Sequence, residues 1–315
     1  MRERIHMPGS RKPEPPALVD GLLALQQGLG NQAVGRLLRA PATQLGSKPV
    51  TQLDDKGWAD KVRAHEYFEL YAEIATLLQA TNLADVKGTR EEDINGARHV
   101  GYGDLKPGLN FVRNLGSRGR TVYLYDGQAT SKLPDAASGE EPAVAVVLGE
   151  HAFDPDNKAF TLGVLRHELE HAVHNRMAAN LLKSWRAGSK AKPFKSWLRD
   201  QSLNAADRAL VHERLEGAVS GTEALANLEG FMAAFTVERP GLELADEPAT
   251  EELADVASFY VNAPTDVRTE VRARLNAYAA GLKGERRSTF LAKLKELRAA
   301  KPGIADLADP ILKRP

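Results

Sequence analysis

The stretch "TLGVLRHELEHAVHNRMAANLLKSW", residues 161–185, decides how the rest of the chain is read. It has no proline, is rich in Leu and Ala, and spans several turns, so it predicts an α-helix. Asp156-Asn157 form a turn signal ahead of it, and Thr161 is the expected cap. Inside it lies His167-Glu168-Leu169-Glu170-His171, the pattern H-E-x-x-H. Residues four apart share one helical face, which sets the two imidazoles side by side. Glu168 is turned by about 100° from His167, so it flanks whatever the imidazoles hold.

Two imidazoles in this relation can share a zinc ion at about 2.0–2.1 Å each. Glu168 then stands where a general base takes a proton from water. The bland reading is a solvated, charge-laced helix face. Leu162, Val164, Leu165, Leu169 and Val173 weigh against it. A mostly apolar helix is buried, and buried His and Glu need partners. His174 falls nearly on the same face. Three ligands from one straight helix rarely close on one ion, so it is expected to orient a ligand or stay partly exposed. Glu170 points away from Glu168 and is expected to be a solvated charge or an ion-pair partner.

A catalytic zinc keeps three protein ligands. The pattern H-E-x-x-H-x-x-G-x-x-H would supply the third, but here its glycine place holds His174 and its last place Met177. That route is excluded; the other main route is a glutamate on a later helix. "SGTEALANLEGFMAAF", residues 220–235, reads as a largely buried helix with Glu223 in its first turn. Its string Thr222-Glu223-Ala224-Leu225-Ala226-Asn227 resembles the Asn-Glu-x-x-x-Asp string of thermolysin-like, glutamate-zincin peptidases. The resemblance implies Glu223 as third ligand beside His167 and His171, with Glu168 as the catalytic base. It also implies Asn227 in the place of an Asp that orients a ligand His. Asn accepts from an imidazole N–H but adds no charge, a departure from the family pattern. Glu229 is the competing third ligand and Glu216 a weaker one. As a plain structural residue, Glu223 is a carboxylate favoured at a helix N-terminus.

Composition narrows the chemistry. There is no cysteine, so any metal must be held by His and carboxylates. Lys+Arg 42 balances Asp+Glu 42, which gives no bias toward nucleic acid or a membrane surface. The basic block at 286–303 has a single aromatic, Phe290, and no stacking motif, so no nucleic-acid partner is expected. No apolar run approaches the roughly 20 residues of a membrane helix, and "MRERIHMPGSRKPEPP" has no apolar core of a secretory signal.

Along the chain, residues 1–16 read as a disordered tail, 17–41 as a short helical docking module and 42–55 as linker. Residues 56–237 read as the main domain and 238–315 as a C-terminal helical region that packs on the core or stands apart. Helices are expected at 56–80, 161–186, 203–216, 222–236, 249–262, 265–281 and 285–300. "LNFVRNL", "RTVYLYDG" and "EPAVAVVLGEHAF", between 100 and 155, suggest a small sheet. The fold class is therefore α+β, helix-dominant. "AVAVVLGEHAF" is expected to be the edge strand on which a substrate would add. His151 and Tyr260 are candidates for stabilising an oxyanion, although either can equally be a packing residue.

"LLALQQGLGNQAVGRLL", residues 22–38, is similar to the L-Q-x-x-x-G-N-x-A-V-x-R-L-L segment of cargo proteins of bacterial contractile injection systems. Leu25, Gln26, Gly30, Asn31, Ala33, Val34, Arg36, Leu37 and Leu38 carry the likeness. Many of those cargos hold a zincin-like domain. The resemblance implies an effector or toxin made in the bacterial cytoplasm and exported within the particle. Residues 17–41 would contact a tube or baseplate component, and a protein or peptide would be the substrate. The competing reading is a zincin-like domain that serves only as a structural or docking component.

Overall fold

In the computed structural model of the chain, residues 55–67, 70, 91–94, 97–100, 108–112, 118–125, 128–130, 133, 143–188, 192–237 and 248–314 are described. The tail, the 17–41 module and the linker up to residue 54 lie outside them. The first element is α1 (Asp55–Arg63), followed by β1 (Glu91–Ile94), β2 (Ala97–Val100), β3 (Gly108–Val112), β4 (Gly119–Tyr125), β5 (Gln128–Thr130) and β6 (Ala143–Gly149). The 31-residue helix α2 (Lys158–Gly188) carries H-E-x-x-H. It is followed by α3 (Phe194–Arg199), α4 (Ala205–Glu216), α5 (Ser220–Val237), α6 (Pro248–Tyr260), α7 (Thr265–Gly281), α8 (Gly284–Ala300) and α9 (Ala305–Leu312). The chain is helix-dominant α+β.

Several expectations shift at element ends. The single helix expected over 56–80 is broken: α1 stops at Arg63, and His65 takes a left-handed φ of 59°. The residues at 71–80 lie outside the described ones. Helix α2 starts three residues before Thr161, because the Asn157 side chain accepts from the Phe160 N–H at 3.1 Å and caps the first turn. Thr161 is instead buried, and its hydroxyl accepts from the Asp154 N–H. The short helices α3 and α9 and the strands β1, β2 and β5 carry no strong periodicity and were not expected.

The strands form one mixed sheet in the order β1-β2-β3-β6-β4-β5, with β3 and β6 parallel and every other pair antiparallel. Strand β6 therefore lies inside the sheet, hydrogen-bonded on both sides, and cannot be the substrate-binding edge. Its Val144, Val146 and Leu148 are all buried, and they share a core with Leu162 and Leu165 of α2. Burying each such side chain contributes about 1.5–3 kcal/mol.

Helix α2 has the sheet on one side and α5 on the other. Helix α5 is enclosed, with Ala224, Leu225, Ala226, Leu228, Phe231 and Ala234 all fully buried. The C-terminal helices complete this second core: Phe231 and Phe235 of α5 pack with Tyr278 of α7 and Phe290 of α8. Among the described residues, no helix is long and apolar enough to cross a membrane.

Candidate metal centre

The site begins with two glycines. A Cβ on Gly230 of α5 would lie 3.0 Å from the Gly163 carbonyl oxygen of α2, so the two helices approach each other backbone to backbone. One turn along α2 from Gly163 comes His167, then His171. Moving back along α5 from Gly230 come Asn227, then Glu223. The helices run antiparallel, and this register sets His167 against Asn227 and His171 against Glu223.

His167 Nε2 lies 3.2 Å from His171 Nε2 and 3.6 Å from Glu223 Oε2, and His171 Nε2 lies 3.3 Å from Glu223 Oε1. Donors held about 2.0–2.1 Å from a tetrahedral centre are roughly 3.3–3.4 Å apart. The triangle therefore has the size of one face of such a site, and its two nitrogens and carboxylate suit a first-row divalent cation. Burial, reinforced by the neighbouring His171, pushes the His167 imidazole down to about 4, and burial likewise lowers His171. Both are neutral near pH 7, as ligands must be. Burial would raise the Glu223 carboxyl, but its hydrogen bond to His171 and the two imidazoles hold it below the ordinary range.

Glu168 sits on the sheet side of the triangle. Its Oε2 and its backbone oxygen both lie 2.8 Å from the Thr121 hydroxyl of β4. Gly119 of the same strand leaves room for it, since a Cβ there would come within 3.1 Å of Glu168 Oε1. Burial lifts the Glu168 carboxyl to about 7; the Thr121 hydrogen bond opposes the shift and the Glu223 charge adds to it. A cleft of about 210 Å³ opens over this side, lined by Gly119, Val164, His167, Glu168 and Asn227. No protein-family model, curated protein or solved structure matches the chain.

The remaining expected site residues separate cleanly. Asn227 lines the cleft beside His167 and donates from Nδ2 to the Glu223 carbonyl at 2.9 Å. His174 does not approach the triangle. It is buried, with Nε2 3.3 Å from Glu170 Oε1. Glu170 is not solvated: it bonds Arg274 of α7 at 2.9 Å, and its carboxyl is held near 2 by His174 and Arg274 against the opposing effect of burial. Glu229 is no ligand, because Arg166 and Arg274 take its two oxygens at 2.8 and 2.9 Å. Glu216 is exposed and pairs with Lys195. Tyr260 is tied to Asp306 at 2.7 Å in the C-terminal core, and His151 is exposed in the turn after β6. Neither stands at the triangle.

Helix α4 brings two residues that no motif signals. Glu213 accepts from the Gly221 and Thr222 N–H groups at 2.8 Å each, anchoring the open first turn of α5 that presents Glu223. Its neighbour Arg214 reaches the far side of His171, with Nη2 2.6 Å from Nδ1.

Proposed function

We propose that this chain is a zinc-dependent peptidase of the glutamate-zincin type, with His167, His171 and Glu223 as ligands and Glu168 as general base. The observation that carries this reading is the triangle of donor atoms with Glu168 beside it and the cleft above. Zinc bound there supplies a Lewis acid that polarises a scissile carbonyl and acidifies water. Glu168 accepts the water's proton and returns it to the leaving amine; a carboxyl poised near 7 suits both transfers. Thr121 holds that carboxylate at the cleft, and Asn227, beside His167, is the residue to orient that ring.

A peptide is the substrate class the sheet favours. Strand β5 pairs with β4 only from Tyr123 to Tyr125, and among the described residues no strand covers that side of Gly119–Val122. An extended chain adding there lies beside Glu168. This edge replaces β6 as the expected docking strand. The likeness of residues 22–38 to injection-system cargo supports an effector or toxin carried in such a particle, with that segment as the contact to the tube or baseplate.

Metal content of chelator-treated, zinc-reconstituted protein tests the reading. About one zinc per chain is expected, lost in His167→Ala. No zinc in either protein would sink the metallopeptidase assignment and leave a docking component as the better description.

A further inference from the structure

The two histidines of the triangle are held in opposite ways. Asn227 spends its Nδ2 on the Glu223 carbonyl, so its oxygen is the atom left for His167. His167 Nε2 faces His171, so the Nδ1–H tautomer is the one that leaves His167 a lone pair for the site. The Nε2 lone pair of His167 is thus turned into the site. This is the usual support for a metal ligand, an acceptor behind the ring fixing the proton on the remote nitrogen.

Behind His171 stands a donor instead. A guanidinium carries five N–H groups and no acceptor, so Arg214 Nη2 at 2.6 Å from Nδ1 requires a lone pair on that nitrogen. The proton of neutral His171 is then on Nε2, the atom that faces Glu223 Oε1 at 3.3 Å and His167 Nε2 at 3.2 Å. In this arrangement the three side chains and Arg214 close into one hydrogen-bonded unit. His171 offers the site a proton where a ligand offers a lone pair.

We propose that Arg214 is a latch on metal loading: it holds His171 in the Nε2–H tautomer, and the third donor atom becomes available only when the guanidinium leaves Nδ1. The inference rests on the metal-binding reading of the triangle. Burial disfavours the charge of the Arg214 guanidinium, and Tyr123, Glu223, Glu213 and Glu168 are the groups whose charge would favour it. Its Nε is buried and has no hydrogen-bond partner, so the side chain is not tied down along its length. Arg214 is a positioning residue, acting through His171 and not on substrate.

The test uses the full chain, metal-free, as wild type and Arg214→Met, which keeps the apolar stem and removes the donor. Long-range proton–nitrogen NMR of the imidazoles, with the His171 signals assigned against His171→Gln, reads the tautomer. Competition with a chromophoric chelator reads zinc affinity. The expected result is Nε2–H on His171 in the wild type, Nδ1–H in Arg214→Met, and at least about tenfold tighter zinc binding in the variant.

Tighter binding with no change of tautomer would show that only a repelling charge had been removed, and would overturn the latch. So would Nδ1–H in the wild type, which requires no variant to fold. Equal zinc affinity in both proteins rejects the latch while leaving the metal site intact. Failure of both to bind zinc removes the metal site itself, and the latch with it.

Discussion

Arg274 of α7 donates from one nitrogen, Nη1, to Glu170 of α2 and to Glu229 of α5, at 2.9 Å each. The helix bearing two candidate ligands and the helix bearing the third are thus pinned by a cation from the C-terminal region. Both carboxylates are buried, and Arg166 donates to the other oxygen of Glu229 at 2.8 Å. The C-terminal helices are therefore part of the body that holds the site, through this ion network as well as through Phe290.

Arg274→Met leaves buried Glu170 to His174 and buried Glu229 to Arg166, each short of a counter-charge. Breaking a buried pair by removing one partner costs about 3–5 kcal/mol. A strongly lowered midpoint in urea is expected, and a chain cut after residue 240 should not fold at all. A truncated chain that melts cooperatively would refute the role given to these helices.

Gly230→Ala tests the close approach of α2 and α5. The new methyl meets the Gly163 carbonyl and the Glu252 carboxylate, so the helices must part. Overpacking of this kind costs about 1–3 kcal/mol. Because the same approach sets His171 against Glu223, zinc affinity should fall along with stability; chelator competition on the folded variant measures it.

Glu213→Ala releases two backbone N–H groups at the start of α5. Losing a charged acceptor from buried donors costs about 1–3 kcal/mol. The effect on Glu223 is indirect, so zinc binding should weaken without being abolished. Glu213→Gln, which keeps one acceptor oxygen, is expected to fall between the wild type and Glu213→Ala in thermal melts.

The Glu168 carboxyl gives a pH signature with a definite sign. Its folded value of about 7 lies above its ordinary 4.5, so the fold prefers the protonated form. Ionising it costs stability that grows as pH rises from 4.5 to 7. Glu168→Gln carries no charge, so the metal-free variant should be more stable than wild type at pH 8, on the order of 1–3 kcal/mol, and equal to it at pH 4.5. Peptide cleavage should drop by about 10²–10⁴-fold in the same variant, with zinc retained. Hydrolysis by the wild type should fall on the acid side of a limb at or below about pH 7, since a bound cation lowers the carboxyl further.

Acidification acts on two other groups in the opposite sense. His167 stays neutral in the fold down to about 4, while an unfolded imidazole protonates below 6.5. Glu170 stays ionised down to about 2, against 4.5 when unfolded. Both contributions are lost as pH falls, the first between 6.5 and 4 and the second between 4.5 and 2. In the wild type the Glu168 gain offsets the His167 loss between pH 6.5 and 4.5, so the net loss of metal-free protein is expected below about 4.5; Glu168→Gln, which lacks that gain, should lose stability from pH 6.5 downward, and melts of both proteins would record the difference.

By itself the sequence determined what depends on near neighbours in the chain. Helical periodicity located α2 and the helices from α4 to α8 to within a few residues, and the i, i+4 spacing put His167 and His171 on one face with Glu168 flanking. Glu223 and Asn227 were legible through a short resembling string. Which carboxylate meets the imidazoles was decided only in three dimensions. Glu223 and Glu229 are six residues apart, so they leave α5 in different directions, and the rotation of that helix is fixed by the contact of Gly230 with Gly163. Thr121 comes from a strand 47 residues before Glu168, and Arg214 from a helix 43 residues after His171. No local pattern marks either, because the hydrogen bonds that give them a role exist only once sheet and helices have packed around α2.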